Sequence, residues 1–211
     1  MKSKPAIIFS VITLCLSAVI VFGYKDYKTA IPEPDKDGHI TIMIQPFDDL
    51  SKAEAEYVYR EVKKVYQYTT LLKSIKLPPQ AYYKPRNRYR ADSIIAWLSR
   101  RTEENYVTIG LTSKDISTDK GKIKDWGVMG LGYQPGNACA ASTFRLNKKN
   151  ILDQLFKVSI HELGHTQGLP HCADKTCYMA NAEGGNPTDG ETGFCRKCKR
   201  LLRGKGWLLP D

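Results

Sequence analysis

The sequence predicts an α/β (α+β) domain in which helices back a mixed, twisted sheet. Short apolar or alternating runs recur at 39–47, 106–111, 127–133 and 139–146, as strands do. Apolar residues at helical spacing fill 51–68, 91–102 and 149–167. Strands interleaved with helices put the helices on the faces of a sheet.

In the first strand, Ile40, Ile42 and Ile44 alternate with polar residues or Met43, so one face should be the more deeply buried. Ser51 and Glu54 have the spacing of a capping box, in which each side chain serves the other's backbone N–H. Val58, Val62, Val65 and Tyr66 follow at helical spacing, which predicts an amphipathic helix. A short strand is expected near Ser74–Leu77. Ile94, Ile95 and Leu98 form the inward face of the second helix. Tyr106–Leu111 reads as a strand. So do Gly127–Tyr133 and Cys139–Leu146, joined by the turn signal Gln134-Pro135-Gly136-Asn137. Cys139 is expected to be a small buried hydrophobe. The third helix carries Leu152, Leu155, Phe156, Ile160 and Leu163 as its core stripe. From Gly168 onward the chain reads as loop-rich, with glycines at 184, 185, 190 and 193.

A chain of 211 residues suits one domain with a real core, and 42% hydrophobic with 26% charged residues is ordinary globular composition. The net charge of +10 comes largely from residues 84–101 and 196–205, each with six Lys/Arg. Such charge can attract nucleic acid, anionic lipid or acidic substrates, but its plain reading is a solvated face. No nucleic-acid-binding motif accompanies it, so no nucleic acid partner is expected.

Lys2 and Lys4 precede an uncharged, mostly apolar run from Ala6 to Gly23. This reads as a secretory signal or an uncleaved anchor over residues 1–23, with Val21-Phe22-Gly23 a tolerable cleavage site. Leu14 is too large a neighbour for Cys15 to be a usual lipidation site. The lysines hold the N-terminus inside, so the domain is expected to be extracytoplasmic. Residues 24–38 are polar with two prolines and read as a linker. The domain proper is expected over 39–211.

The chemistry concentrates in HELGHTQGLPH, residues 161–171, which holds three of the chain's four histidines. His161 and His165 are four apart, so both rings leave one face of the third helix and can share a zinc ion. Gly168 allows the helix to stop, and Pro170 keeps it from resuming. The chain can then present His171 as a third ligand. Three protein ligands leave one position open, as in catalytic zinc sites. Glu162 is placed to act as general base.

Cys172 follows directly, then Cys177, then the pair Cys195 and Cys198. Four thiolates in two close pairs match a closed structural zinc site. Two disulfides are the rival reading, favoured by an extracytoplasmic location. A Cys195–Cys198 bridge would close a very small loop, typical of redox centres. A four-thiolate zinc carries net charge −2, which Arg196, Lys197, Lys199 and Arg200 would offset.

The run HELGHTQGLPHCADKTCYM, then FCRKC, resembles the archaemetzincin family of metzincin-like zinc peptidases. The resemblance is specific across 159–198 and looser across 39–158. It implies a metzincin-like single domain with an active-site helix and a loop-rich, zinc-stapled C-terminal subdomain. It implies two zinc ions: a catalytic one on His161, His165 and His171, and a structural one on Cys172, Cys177, Cys195 and Cys198. Met179 would lie in a Met-turn beneath the catalytic metal. Gly127–Tyr133 would be an exposed antiparallel edge. There Gly130, Leu131 and Gly132 could meet a substrate backbone. Tyr178 and Tyr133 are candidate oxyanion partners. The expected activity is peptide-bond hydrolysis on a peptide or protein substrate, by a monomer. The alternative is a catalytically weak or inactive, zinc-stabilised binding module with a basic surface.

Overall fold

The computed structural model describes residues 38–209 except Glu183. The chain divides into Met1–Pro32 and Glu33–Asp211, and every described residue belongs to the second unit. The expected signal or anchor lies outside the described residues, as does the linker apart from Gly38. Among the described residues, no helix is long and apolar enough to cross a membrane.

In chain order the elements are β1 (Thr41–Pro46), α1 (Lys52–Val65), β2 (Thr69–Leu71), β3 (Tyr82–Tyr83), β4 (Arg88–Arg90), α2 (Ala91–Ser99), β5 (Tyr106–Thr112), β6 (Ile116–Lys120), β7 (Ile123–Val128), β8 (Gly130–Gly132), β9 (Ala138–Ser142), α3 (Ile151–Thr166) and α4 (Arg196–Arg203). The main sheet has the order β2-β1-β5-β9-β8. Its first four strands are parallel and β8 is an antiparallel edge. The mixed sheet backed by helices is therefore as expected.

Both faces of this sheet are covered. On one, α1 and α3 bury Val58, Val62, Leu155, Ile160 and Leu163 against Ile42, Ile44, Ile109 and Ala141. On the other, Ile94, Ile95 and Leu98 of α2 meet Phe47 and Ala140. Gly110 is what lets α2 approach, since a Cβ there would stand 2.8 Å from Leu98 Cδ1 and 2.9 Å from Phe47 Cε2. All six residues of β1 are buried. This corrects the expectation of one more deeply buried face, because a central parallel strand is covered on both sides.

The capping box at the start of α1 is present: Ser51 N–H donates to Glu54 Oε2 at 3.0 Å, and Glu54 N–H to Ser51 Oγ at 3.2 Å. The strand expected at Ser74–Leu77 instead lies at Thr69–Leu71, in parallel register with Ile42–Ile44. Ile75 makes only an isolated bridge to Phe47. The expected strand Gly127–Tyr133 is two strands in different sheets. β7 ends at Val128 and pairs with β6, Met129 crosses over, and β8 begins at Gly130.

The second sheet, β3-β4-β6-β7, has no counterpart in the sequence reading beyond the end of β7 at Gly127–Val128. It is built around ions. Arg88 bonds Asp115 at 2.9 Å and Asp125 at 3.2 Å, all three side chains being about nine-tenths buried. Arg90 bonds Asp119 at 2.8 Å. The basic run 84–101 is therefore not simply a solvated face. The C-terminal part also holds a helix, α4, that the loop-rich reading missed. Eight residues dominated by cations, with Cys198 and Leu202 as its buried members, give little periodic signal. Beyond it Trp207 is buried and stacks on Tyr66 with centroids 4.5 Å apart. The Tyr66 hydroxyl donates to the Ile40 carbonyl at 2.7 Å.

Candidate metal centres

Helix α3 is buried along most of its length and delivers His161, Glu162 and His165 at its C-terminal end. It stops as its sequence demands. Gly168 takes φ +86°. Its N–H donates to His165 O at 2.8 Å, and Leu169 N–H donates to Gly164 O at 3.1 Å. That pair of bonds is a Schellman motif, with glycine supplying the left-handed residue. The chain reverses through Leu169 and Pro170 and returns His171 to the helix.

Ring nitrogens of His161, His165 and His171 all lie within 4.8 Å of one another, and His165 Nε2 and His171 Nε2 are 3.3 Å apart. Tetrahedral ligands with Zn–N bonds of 2.0–2.1 Å stand about 3.3–3.4 Å apart, so the spacing fits one shared ion. The other nitrogens are occupied. His161 Nδ1 bonds the Tyr178 carbonyl at 2.7 Å, and His165 Nδ1 bonds the Leu169 carbonyl at 2.8 Å. A carbonyl only accepts, so each Nδ1 carries the proton and each Nε2 keeps a lone pair facing the centre.

Burial, then the neighbouring His165, drives His161 down to about 3, against the raising effect of the Tyr178 carbonyl. Burial also lowers His165. Both rings are therefore neutral and available to a metal at pH 7. Below the ordinary histidine value of about 6.5, the unfolded chain binds protons that native His161 refuses down to about 3. Stability is therefore fully present above that range and lost as the pH falls through it. In metal-free protein the wild-type Tm should fall more steeply from pH 6.5 toward 3 than that of His161→Gln, a comparison that cancels the opposite contribution of the raised Glu162 carboxyl. Parallel Tm curves for the two proteins would refute the assignment of the His161 ring as neutral.

Glu162 is 8% exposed, and burial pushes its carboxyl up to about 8. It occupies a slot between α3 and the edge strand. A Cβ at Gly130 would stand 2.6 Å from Glu162 Oε1, and one at Gly132 would stand 2.7 Å from the Glu162 carbonyl oxygen. Only bare backbone fits at these two positions. Leu131, between them, packs against the α2 side. Met179 is fully buried, and its thioether lies where a side chain on Gly164 would need to be, between the two histidine-bearing turns. Tyr178 meets His161 through its carbonyl, while its ring packs edge-on against Phe156 and Phe194. Tyr133 is 46% exposed just beyond the edge strand.

The sulfurs of Cys172, Cys177, Cys195 and Cys198 also lie within 4.8 Å of one another. None is in a disulfide. Cys172 and Cys195 are 3.7 Å apart, close to the roughly 3.8 Å edge of a tetrahedron with 2.3 Å Zn–S bonds and far beyond a disulfide bond of about 2.0 Å. Backbone N–H groups of Cys195 and Met179 donate to Cys177 Sγ at 3.3 and 3.5 Å. Burial pushes the Cys177 thiol up to about 11 and raises Cys198 as well. Burial also pulls Cys195 upward, but a backbone bond from Cys198 and neighbouring thiols hold it below the usual range. A bound cation deprotonates such thiols outright, so this donor set fits a soft divalent metal. Cys139 is fully buried in β9, as expected.

Sequence reasoning missed the carbonyls of Leu169 and Tyr178 and the clearance at Gly164. A carbonyl is common to every residue, so no sequence signal could single out the first two. The glycine before His165 was readable but had no assigned partner.

The model of peptidase family M54 matches residues 40–204. The chain belongs to peptidase family M54. It is 32% identical over 172 residues to archaemetzincin from Methanopyrus kandleri, covering 79% of this chain and 91% of that one. Identity to archaemetzincin from Haloquadratum walsbyi is 29% over 175 residues, covering 76% and 98%. The crystal structure of the Methanopyrus kandleri archaemetzincin matches with a TM-score of 0.67 at 27% identity, covering 82% of this chain and 98% of that one. That of the Archaeoglobus fulgidus archaemetzincin matches with a TM-score of 0.65 at 25% identity, covering 77% and 99%. The resemblance read from the motifs is thus borne out. As an M54 member the chain is a zinc metallopeptidase, a hydrolase that acts on peptides. Membership favours this over the binding-module alternative.

Proposed function

We propose that this M54 peptidase works with a zinc ion on His161, His165 and His171, and that Glu162 is its general base. The convergence of three imidazoles, with Nδ1 of two of them tied to carbonyls, carries this reading. Zinc at that position supplies water activation and carbonyl polarisation near neutral pH. The charge of a zinc ion beside it would return the buried Glu162 carboxyl to its ionised form, in which it can accept the attacking water's proton and deliver it to the leaving amine. Gly130, Leu131 and Gly132 offer the substrate backbone a strand edge, and Met179 floors the site. Cys172, Cys177, Cys195 and Cys198 hold a second, structural zinc that staples the C-terminal part.

The same reading makes the protein a monomer with its peptidase domain over 39–211. Residues 24–38 link it to an N-terminal segment, 1–23, that is removed as a signal or kept as an anchor. The domain then faces the extracytoplasmic side.

Metal analysis of the purified chain should find two zinc ions. A chelator should abolish peptide cleavage and added zinc should restore it. Cleavage by fully metal-free protein would overturn the proposal, and a single zinc would remove the structural site from it.

A further inference from the structure

Helix α4 presents a cationic surface that the cysteine site explains only in part. Arg196, Lys199, Arg200 and Arg203 recur at i, i+3, i+4 and i+7. Together with Phe194 they line one groove of about 550 Å³. Lys197 and Lys205 extend the charge, giving six cations and no acid over 196–205. Four thiolates on one zinc leave only two net negative charges, too few to balance even Arg196, Lys197, Arg200 and Lys205. Among the described residues no carboxylate pairs with Arg196 or Arg200. Like charges at these spacings repel along a helix, so the arrangement favours an anion supplied from outside.

Two further features say which kind. Leu201, one helical turn from Lys197, is 43% exposed, and Leu208, three residues after Lys205, is 50% exposed. The aromatic residues nearby are not available for stacking, Phe194 being 6% and Trp207 1% exposed. Single-stranded nucleic acid is gripped by exposed aromatic faces, which this surface lacks. Aliphatic side chains among clustered Lys and Arg are instead what a bilayer interface receives, with leucines entering the acyl boundary and cations meeting the headgroups.

We propose that α4 and the turn after it, residues 196–208, form a docking surface for an anionic phospholipid bilayer. The surface is built on side chains outside both metal clusters, so this inference stands apart from the catalytic reading.

Amide hydrogen exchange over 196–208 tests it. The full chain would be incubated with vesicles of phosphatidylcholine alone or of phosphatidylcholine mixed with phosphatidylglycerol. Because the readout is local, attachment by the N-terminal segment does not mask it. Exchange should slow by about tenfold or more on the anionic vesicles only, and high salt should reverse most of that protection. The double variant Arg196→Gln/Arg200→Gln should lose the protection while keeping its zinc and its cleavage of a soluble peptide. The double variant Leu201→Asn/Leu208→Asn should lose the part that salt does not reverse. Equal exchange on the two vesicle types would overturn the proposal. So would protection by a single-stranded oligonucleotide without protection by vesicles, or protection reproduced in full by soluble glycerol phosphate.

Discussion

Glu162→Gln should retain the full zinc content and lose about 10²–10⁴-fold in peptide hydrolysis, the range typical of a removed general acid–base group. The amide has the shape of the carboxylate, so it fits the slot that Gly130 and Gly132 leave open. It cannot take up a proton. It should not weaken the fold either. Burial already disfavours the charged form of Glu162, and a neutral side chain removes that burden. The metal-free variant should melt at or above the wild-type temperature. Turnover measured beside zinc content separates the outcomes: a variant that cleaves at the wild-type rate would exclude Glu162 as the base.

Cys177→Ser should have the largest effect on structure. Cys177 is buried and accepts two backbone N–H groups. Structural zinc in small thiolate sites contributes on the order of 10 kcal/mol or more to folding. The loss should spread, because residues 171–179 serve both metal clusters in turn. Cys177 precedes Tyr178, whose carbonyl fixes His161, and Met179, which packs against Gly164. Freeing this segment should lower zinc from the proposed two per chain to less than one. The Tm should fall by about 10 °C or more, since a kilocalorie moves it roughly 2–4 °C in a domain of this size. Cys139→Ala, with its sulfur outside the cluster, should keep both ions. Two zinc ions and an unchanged Tm in Cys177→Ser would show that this thiolate binds no metal.

What the sequence made legible was whatever is local in the chain. A helical turn places His161 beside His165. A glycine stop followed by proline brings back His171, and thiols in close pairs announce a shared ion. The main sheet was readable because its strands are apolar and its helices periodic. The second sheet was not, because its strands are two to six residues long. Its interior is held by Arg88, Asp115 and Asp125, which in sequence pass for surface charges. The break between β7 and β8 falls at Met129, and its one cue, the adjacent Gly130, reads as readily as a bulge or a close backbone approach within a single strand. The partner of Gly130 and Gly132 was likewise invisible, since the contact with Glu162 joins positions some thirty residues apart.

The stack of Trp207 on Tyr66 joins the stretch after α4 to the end of α1 and the start of β1. The ring face of Tyr66 that Trp207 covers therefore has no partner on the growing chain until residue 207 has been added. The pocket against α1 is closed by a segment made about 140 residues later.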